Sequence, residues 1–132
     1  MAVGLSAPQT LLPVPGVRLA AVEAGIRYRD RDDLALIELA PGARAAVALT
    51  NNVFAAAPVR LCREHRGRTG RARAWLINSG NANAGTGEAG VRAARDSCQA
   101  VASALGCTVE DIWPFSTGVI GELLPGDRIT AA

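Results

Sequence analysis

Residues 74–106, AWLINSGNANAGTGEAGVRAARDSCQAVASALG, pass from an apolar run through a turn rich in asparagine and glycine into a helical repeat. Ala74-Trp75-Leu76-Ile77-Asn78 has the composition and length of a buried strand. Over 88–105 the apolar residues Val91, Ala94, Cys98, Val101 and Leu105 fall near one helical face, while Arg92, Arg95, Asp96, Gln99 and Ser103 take wetter positions. Thr86 stands where an N-cap belongs, and Gly106 accepts the left-handed dihedrals that end a helix. A buried strand feeding an amphipathic helix calls for a layered fold, a sheet packed against helices.

The flanking sequence adds shorter elements. Val17, Leu19 and Ala21 alternate with Arg18 and Ala20, which predicts a half-buried strand, and Ile26 and Tyr28 alternate with Arg27 and Arg29 in a second. After a polar connection at 29–33, residues 34–39 read as a strand entering the core, ended by Pro41-Gly42. Residues 45–50 fit a strand or a short helix. Thr108-Val109-Glu110-Asp111 predicts a short helical turn with Asp111 at the acidic position of a capping box. Pro8, Pro13 and Pro15 make residues 1–16 a flexible arm. Short strands separated by turns suggest an α/β or α+β layered structure, with α+β the class expected, and the arm is followed by one α/β domain over 17–132.

The chain's 132 residues suit one domain. Its 49% hydrophobic and 20% charged content argues against disorder. All 14 basic residues are Arg, set against 12 acidic ones. Residues 60–73 hold six of those Arg and one Glu, a local excess that suits phosphate steering or, more simply, a solvated connection between a helix and a strand. Aromatic residues are 4% of the chain, too few for a base-stacking surface, so no nucleic-acid partner is expected. The sequence holds no long uncharged apolar run and no secretory leader pattern, and its three Cys are widely spaced. A cytoplasmic protein without a membrane partner is the expectation.

Candidate chemistry is sparse. His65 lies among Arg60, Arg63, Glu64 and Arg66 and reads as solvent-facing, with the arginines opposing its protonation. Cys62, Cys98 and Cys107 form no Cys-x-x-Cys pair, and no metal site is expected. Gly85-Thr86-Gly87-Glu88-Ala89-Gly90 has the Gly-x-Gly-x-x-Gly spacing of a dinucleotide turn. Against that reading, the seven residues Asn78 through Ala84 lie ahead of the first Gly, and Glu88 places negative charge where a pyrophosphate would approach. Asn78-Ser79-Gly80-Asn81-Ala82-Asn83 is denser in polar side chains than a connection needs, and suits bracing a site by bonding irregular backbone. Asn51-Asn52 invites the same reading. Ser116-Thr117-Gly118-Val119-Ile120-Gly121 reads as a turn anchored by Phe115, Val119 and Ile120. Its Thr hydroxyl and Gly N–H suit stabilising a developing oxyanion.

Four ordered blocks resemble the ornithine acetyltransferases, the bifunctional glutamate N-acetyltransferases of arginine biosynthesis. They are Asp33-Leu34-Ala35-Leu36-Ile37; Ala56-Ala57-Pro58-Val59; the run from Asn78 to Gly87; and the run from Ser116 to Pro125. The resemblance spans about 16–130 and implies the N-terminal part of an α subunit with the layered DmpA/ArgJ-like fold. It further implies a precursor that cuts itself before a Thr, whose freed amine activates its own hydroxyl at the head of a β subunit. That Thr takes acetyl from N2-acetylornithine and passes it to glutamate, and some relatives also use acetyl-CoA. An α2β2 heterotetramer is the implied assembly, and no cofactor is implied. By the same resemblance Thr117 and Gly118 correspond to the oxyanion hole, with Asn78, Ser79, Asn81, Asn83 and Ser116 in support. The self-cleavage junction, the nucleophilic Thr and the substrate-contacting Lys region have no counterpart here, so the isolated chain is expected to be inactive. A nucleotide-binding module on Gly85, Gly87 and Gly90, or a noncatalytic structural piece, are the alternatives.

Overall fold

The computed structural model describes Thr10 and residues 12–132. The arm expected over 1–16 falls largely outside the described residues. Strand β1 (Val17–Val22) pairs antiparallel with β2 (Leu34–Leu39). Helix α1 (Ala57–Thr69) follows, then β3 (Ala74–Asn81), helix α2 (Gly87–Leu105), a 3-10 turn (Val109–Asp111), β4 (Ile112–Val119) and helix α3 (Gly126–Ala131). The sheet order is β1-β2-β3-β4. β2 and β3 run antiparallel, whereas β3 and β4 run parallel through the α2 crossover. The layered α+β class is as expected.

Each face of the sheet has its own cover. Leu34, Leu76, Ala74 and Ile112 pack under the helices against Leu61, Ala94, Cys98 and Ala102. On the opposite face, Leu39, Trp113, Ile37, Trp75 and Phe115 meet Ala43, Ala45, Val47 and Leu49. Trp75 and Phe115 stack edge to face at 6.3 Å.

The structure corrects several expectations. Residues 26–28 are irregular chain, not a strand. The Asp33 carboxylate accepts the Ala24 N–H at 2.7 Å and the Ile26 N–H at 2.6 Å, wrapping that segment into a loop around Gly25. Residues 45–50 are neither strand nor helix. They lie extended, alternately half-buried and exposed, because apolar packing on the sheet satisfies their side chains without a partner strand. β1 is mostly exposed, not half-buried, because it is an edge strand and its neighbours cover little of it; Leu19 is 67% exposed. Most of the basic stretch 60–73 is helix α1, not a connection. Pro58 suits its first turn, and Gly70 ends it at φ 63°. Ion pairs Arg60–Glu88, Arg68–Glu110 and Arg95–Glu64 tie α1 to α2 and to the turn before β4, which answers part of the local positive charge.

His65 is fully buried, not solvent-facing. Its Nδ1–H donates to the Ile112 carbonyl at 2.7 Å; a carbonyl can only accept, which sets the tautomer. Nε2 is buried without a partner. Burial first, and Arg95 secondarily, hold its pKa below the ordinary 6.5, against the opposing pull of the Ile112 carbonyl, Glu64 and Glu110. Within α2, Cys98 is buried as expected, but the buried stripe runs through Gly90, Ala94, Ser97, Cys98 and Ala102, leaving Val91 and Val101 only half-buried. At the turn before β4, the Asp111 carboxylate accepts the Thr108 N–H at 3.3 Å and the Thr108 hydroxyl at 3.1 Å, as the capping-box reading expected.

Candidate active site

The two polar blocks lie side by side at the C-terminal ends of the parallel strands β3 and β4. β3 runs three residues past its expected end, so Asn78, Ser79, Gly80 and Asn81 belong to the strand. Ser116 to Val119 are strand residues too, not the turn expected, because pairing with β3 holds them extended. Ile120 does not anchor in a core: it is 67% exposed. The parallel register sets Ser116 beside Asn78, Thr117 beside Ser79 and Gly118 beside Gly80, with a bulge at Gly80–Asn81.

Gly80 and Gly118 are the closest part of this arrangement. Gly118 has φ 133°, and a Cβ there would overlap the Gly80 carbonyl carbon and stand 2.5 Å from the Asn81 nitrogen. Gly80 has φ 100°, and a Cβ there would stand 2.9 Å from the Arg27 Cβ. The loop folded around Asp33 therefore lies directly over the bulge, and Arg27 pairs with Glu122 at 2.7 Å beyond β4. Asp33, Arg27 and Glu122 carried no role at the site in the sequence reading. Only the acidic pair Asp32-Asp33 ahead of an apolar run hinted at the first.

The asparagines hold irregular backbone. Ser116 donates its hydroxyl to Asn78 Oδ1 at 2.6 Å, and Asn78 Nδ2 donates to the Asn81 carbonyl at 2.8 Å. Asn81 Nδ2 donates to the Glu122 carbonyl at 3.1 Å, and its Oδ1 accepts the Asn83 N–H at 2.7 Å. Asn83 is fully buried at φ 47°. Its Nδ2 reaches the Gly90 carbonyl at 2.9 Å, and its own carbonyl accepts the Ala57 N–H at 3.1 Å, so it joins the starts of α1 and α2. Thr86 sits at the N-cap position of α2, but its hydroxyl donates to Asn83 Oδ1 at 2.9 Å instead of capping the helix. The three glycines have separate causes: a Cβ on Gly90 would overlap Thr86 Oγ1 and Asn83 Oδ1, whereas Gly85 and Gly87 stand at φ 72° and 57°, a backbone region that favours glycine. Asn52 serves a local turn, its Oδ1 accepting the Phe54 N–H at 2.8 Å.

Strand alternation divides the remaining groups. Asn78 and Ser116 face the helices, while Ser79 and Thr117 face the other side; Thr117 and Gly118 are exposed. Cys98 lies in the helix-side core and Cys62 in the cluster with Leu39 and Trp113, both with pKa values pushed up to about 12 by burial, which removes thiolate chemistry at neutral pH. Among the described residues, no group of three His, Cys, Asp or Glu is placed to hold a metal ion.

The ArgJ family pattern matches residues 18–132, nearly the whole chain. This chain belongs to the ArgJ family. The arginine biosynthesis bifunctional protein ArgJ of Psychrobacter arcticus is 50% identical over 132 residues, covering 99% of this chain and 32% of that protein. Its counterpart in Methylococcus capsulatus is 51% identical over 92% of this chain and 29% of its own length. The chain thus spans about a third of these ArgJ relatives. Among solved structures, ArgJ of Bacillus halodurans superposes with TM-score 0.83 at 34% identity, covering 89% of this chain and 61% of that one. The ornithine acetyltransferase of Mycobacterium tuberculosis, solved with ornithine, superposes with TM-score 0.82 at 39% identity over 89% of this chain and 63% of its own. The layered α+β fold is therefore that of the ArgJ proteins.

Proposed function

We propose that this chain supplies the oxyanion-stabilising wall of an acetyltransferase that moves acetyl from N2-acetylornithine to glutamate in arginine biosynthesis. The observation that carries this reading is the placement of Thr117 and Gly118. They sit exposed at the end of β4, beside the bulge of β3, in a member of the ArgJ family. The nucleophile is a Thr outside this chain, at the head of a β subunit released by self-cleavage. Its hydroxyl attacks the acetyl carbonyl, and the negative charge that gathers on the carbonyl oxygen meets the Thr117 hydroxyl and the Gly118 N–H. Collapse expels ornithine with a proton on its amine and leaves the acetyl ester on the β-subunit Thr. The glutamate amine attacks that ester through a second tetrahedral intermediate held by the same donors; its collapse breaks the ester C–O bond, releases N-acetylglutamate and returns the amine's proton to the Thr hydroxyl. Neither step needs a metal or cofactor. Asn78, Ser79, Asn81, Asn83 and Ser116 support the two strand ends. The working assembly is an α2β2 heterotetramer in the cytoplasm; no described helix is long and apolar enough to cross a membrane.

The test is acetyl transfer from N2-acetylornithine to glutamate, measured for the 132-residue chain alone and for the complete cleaved enzyme. Turnover belongs to the complete enzyme only. Transfer by the verified isolated chain at the complete enzyme's rate would place the nucleophile within these residues and overturn the reading.

A further inference from the structure

We infer that the helix-side face of β1 and β2 is the seat of the polypeptide that follows the matched third in ArgJ relatives, which continues α3 as an apolar-faced helix. The groove there, about 170 Å³, is lined by Ala20, Val22, Leu34, Leu36, Val101 and Ile129. A second hollow of about 270 Å³ shares Ala20 and Leu36 and ends at Arg18 and Glu38. The two form one trough along the paired strands, since Ala20 is opposite Leu36 and Val22 opposite Leu34. Helices α1 and α2 cover β3 and β4 but leave β1 bare, with Val22 40% exposed. A sheet face of this kind is stable only when another layer covers it.

Two observations select the occupant. α3 already enters the trough: Ile129 is buried in it, and Ala132 lines it with its N–H still bonded to the Arg128 carbonyl at 3.2 Å. The direction of α3 is fixed at its start, where Gly126 packs on Ala93, and by Arg128, which donates to the Gly25 carbonyl. In addition, over two thirds of each curated ArgJ relative lies outside the matched stretch. A six-residue strand spans roughly 17–20 Å, which a helix rising 1.5 Å per residue crosses in about 11–13 residues. α3 has six, so about two further turns reach the Arg18–Glu38 ion pair. The occupant presents small and branched apolar residues to Ala20, Val22, Leu34 and Leu36, and a polar group at that pair. This inference rests on family membership and not on the acetyl-transfer reading.

The probe is a fluorescent peptide of the thirty residues that follow the matched stretch in the Psychrobacter arcticus relative, titrated into the 132-residue chain. Binding is expected to saturate and to weaken at least tenfold in Val22→Asp. It should be unchanged in Val53→Asp, a fully exposed site that lines neither hollow. No saturable binding by a chain folded by circular dichroism, equal loss in both variants, or self-association of the chain through Val22 in place of peptide binding would overturn the proposal. The second measurement does not need the short chain to fold alone. In a chain lengthened by the same segment, a thiol introduced by Val22→Cys is protected from iodoacetamide at least tenfold relative to one introduced by Val53→Cys. Equal labelling would also overturn it.

Discussion

Replacing the Gly118 hydrogen with a methyl group would drive a carbon into the backbone of Gly80 and Asn81. The φ of 133° is costly for any other residue, so strain and overlap act together. Gly118→Ala is expected to cost roughly 2–5 kcal/mol in urea unfolding and to part the ends of β3 and β4. A wild-type unfolding midpoint would refute the close approach. His65 makes a different kind of prediction. It is neutral in the folded chain, with its pKa held below 6.5. In the unfolded chain it titrates near the ordinary value, so between the two values the unfolded state binds more protons. Stability is therefore full above about pH 6.5 and falls as the pH drops from there toward the lower folded value. Unfolding midpoints between pH 7.5 and 5 should decline, and His65→Gln should flatten that part of the decline. An unchanged slope in His65→Gln would remove His65 as its source.

Helix α1 shows at the scale of an element how charge can mask a core face. Its sequence carries Arg at 60, 63, 66 and 68, yet Leu61, Cys62 and His65 are buried at the helix–sheet contact. Leu61→Ala is expected to cost about 2–5 kcal/mol, and Arg66→Ala to stay within about 0.5 kcal/mol, by urea unfolding. Equal small effects would mean that α1 has no buried face. The basic stretch resembled a connection because only a few apolar residues lie between its arginines, and their burial depends on α2 and β4 arriving from elsewhere in the chain. Where the pattern was long and local it was legible: β2, the start of β3, α2 with its Gly106 end and the Thr108–Asp111 turn were all expected from side-chain spacing. Residues 45–50 carry a strand's alternation without a ladder, since alternation reports which side is wet and not whether a partner strand is present. The bulge at Gly80–Asn81 was hidden for a related reason. It arises from two glycines 38 residues apart that meet only when β3 and β4 pair. The asparagine block was legible as a brace, but its partners, the Gly90, Glu122 and Ala57 backbones, were not, because each bond crosses between elements.

On the scale of the whole molecule, a four-stranded sheet with helices on one face and extended chain on the other brings two loop-like motifs to one end of two parallel strands. Position at a strand end exposes Thr117 and Gly118, and the asparagine bonds keep the neighbouring backbone from relaxing. Preorganisation of this kind separates folding from chemistry: removing the Thr117 hydroxyl should leave the strands paired and weaken only the response to developing charge. Loss of one oxyanion donor costs about 3–4 kcal/mol of transition-state stabilisation, about 100–1000-fold in rate. The direct measurement is the turnover of acetyl transfer from N2-acetylornithine to glutamate by the complete Thr117→Ala enzyme, with self-cleavage and assembly verified on the same preparation. A cleaved, assembled enzyme slowed about 100–1000-fold is the predicted result. Turnover near wild type in that preparation would contradict the assignment of the oxyanion site to this chain.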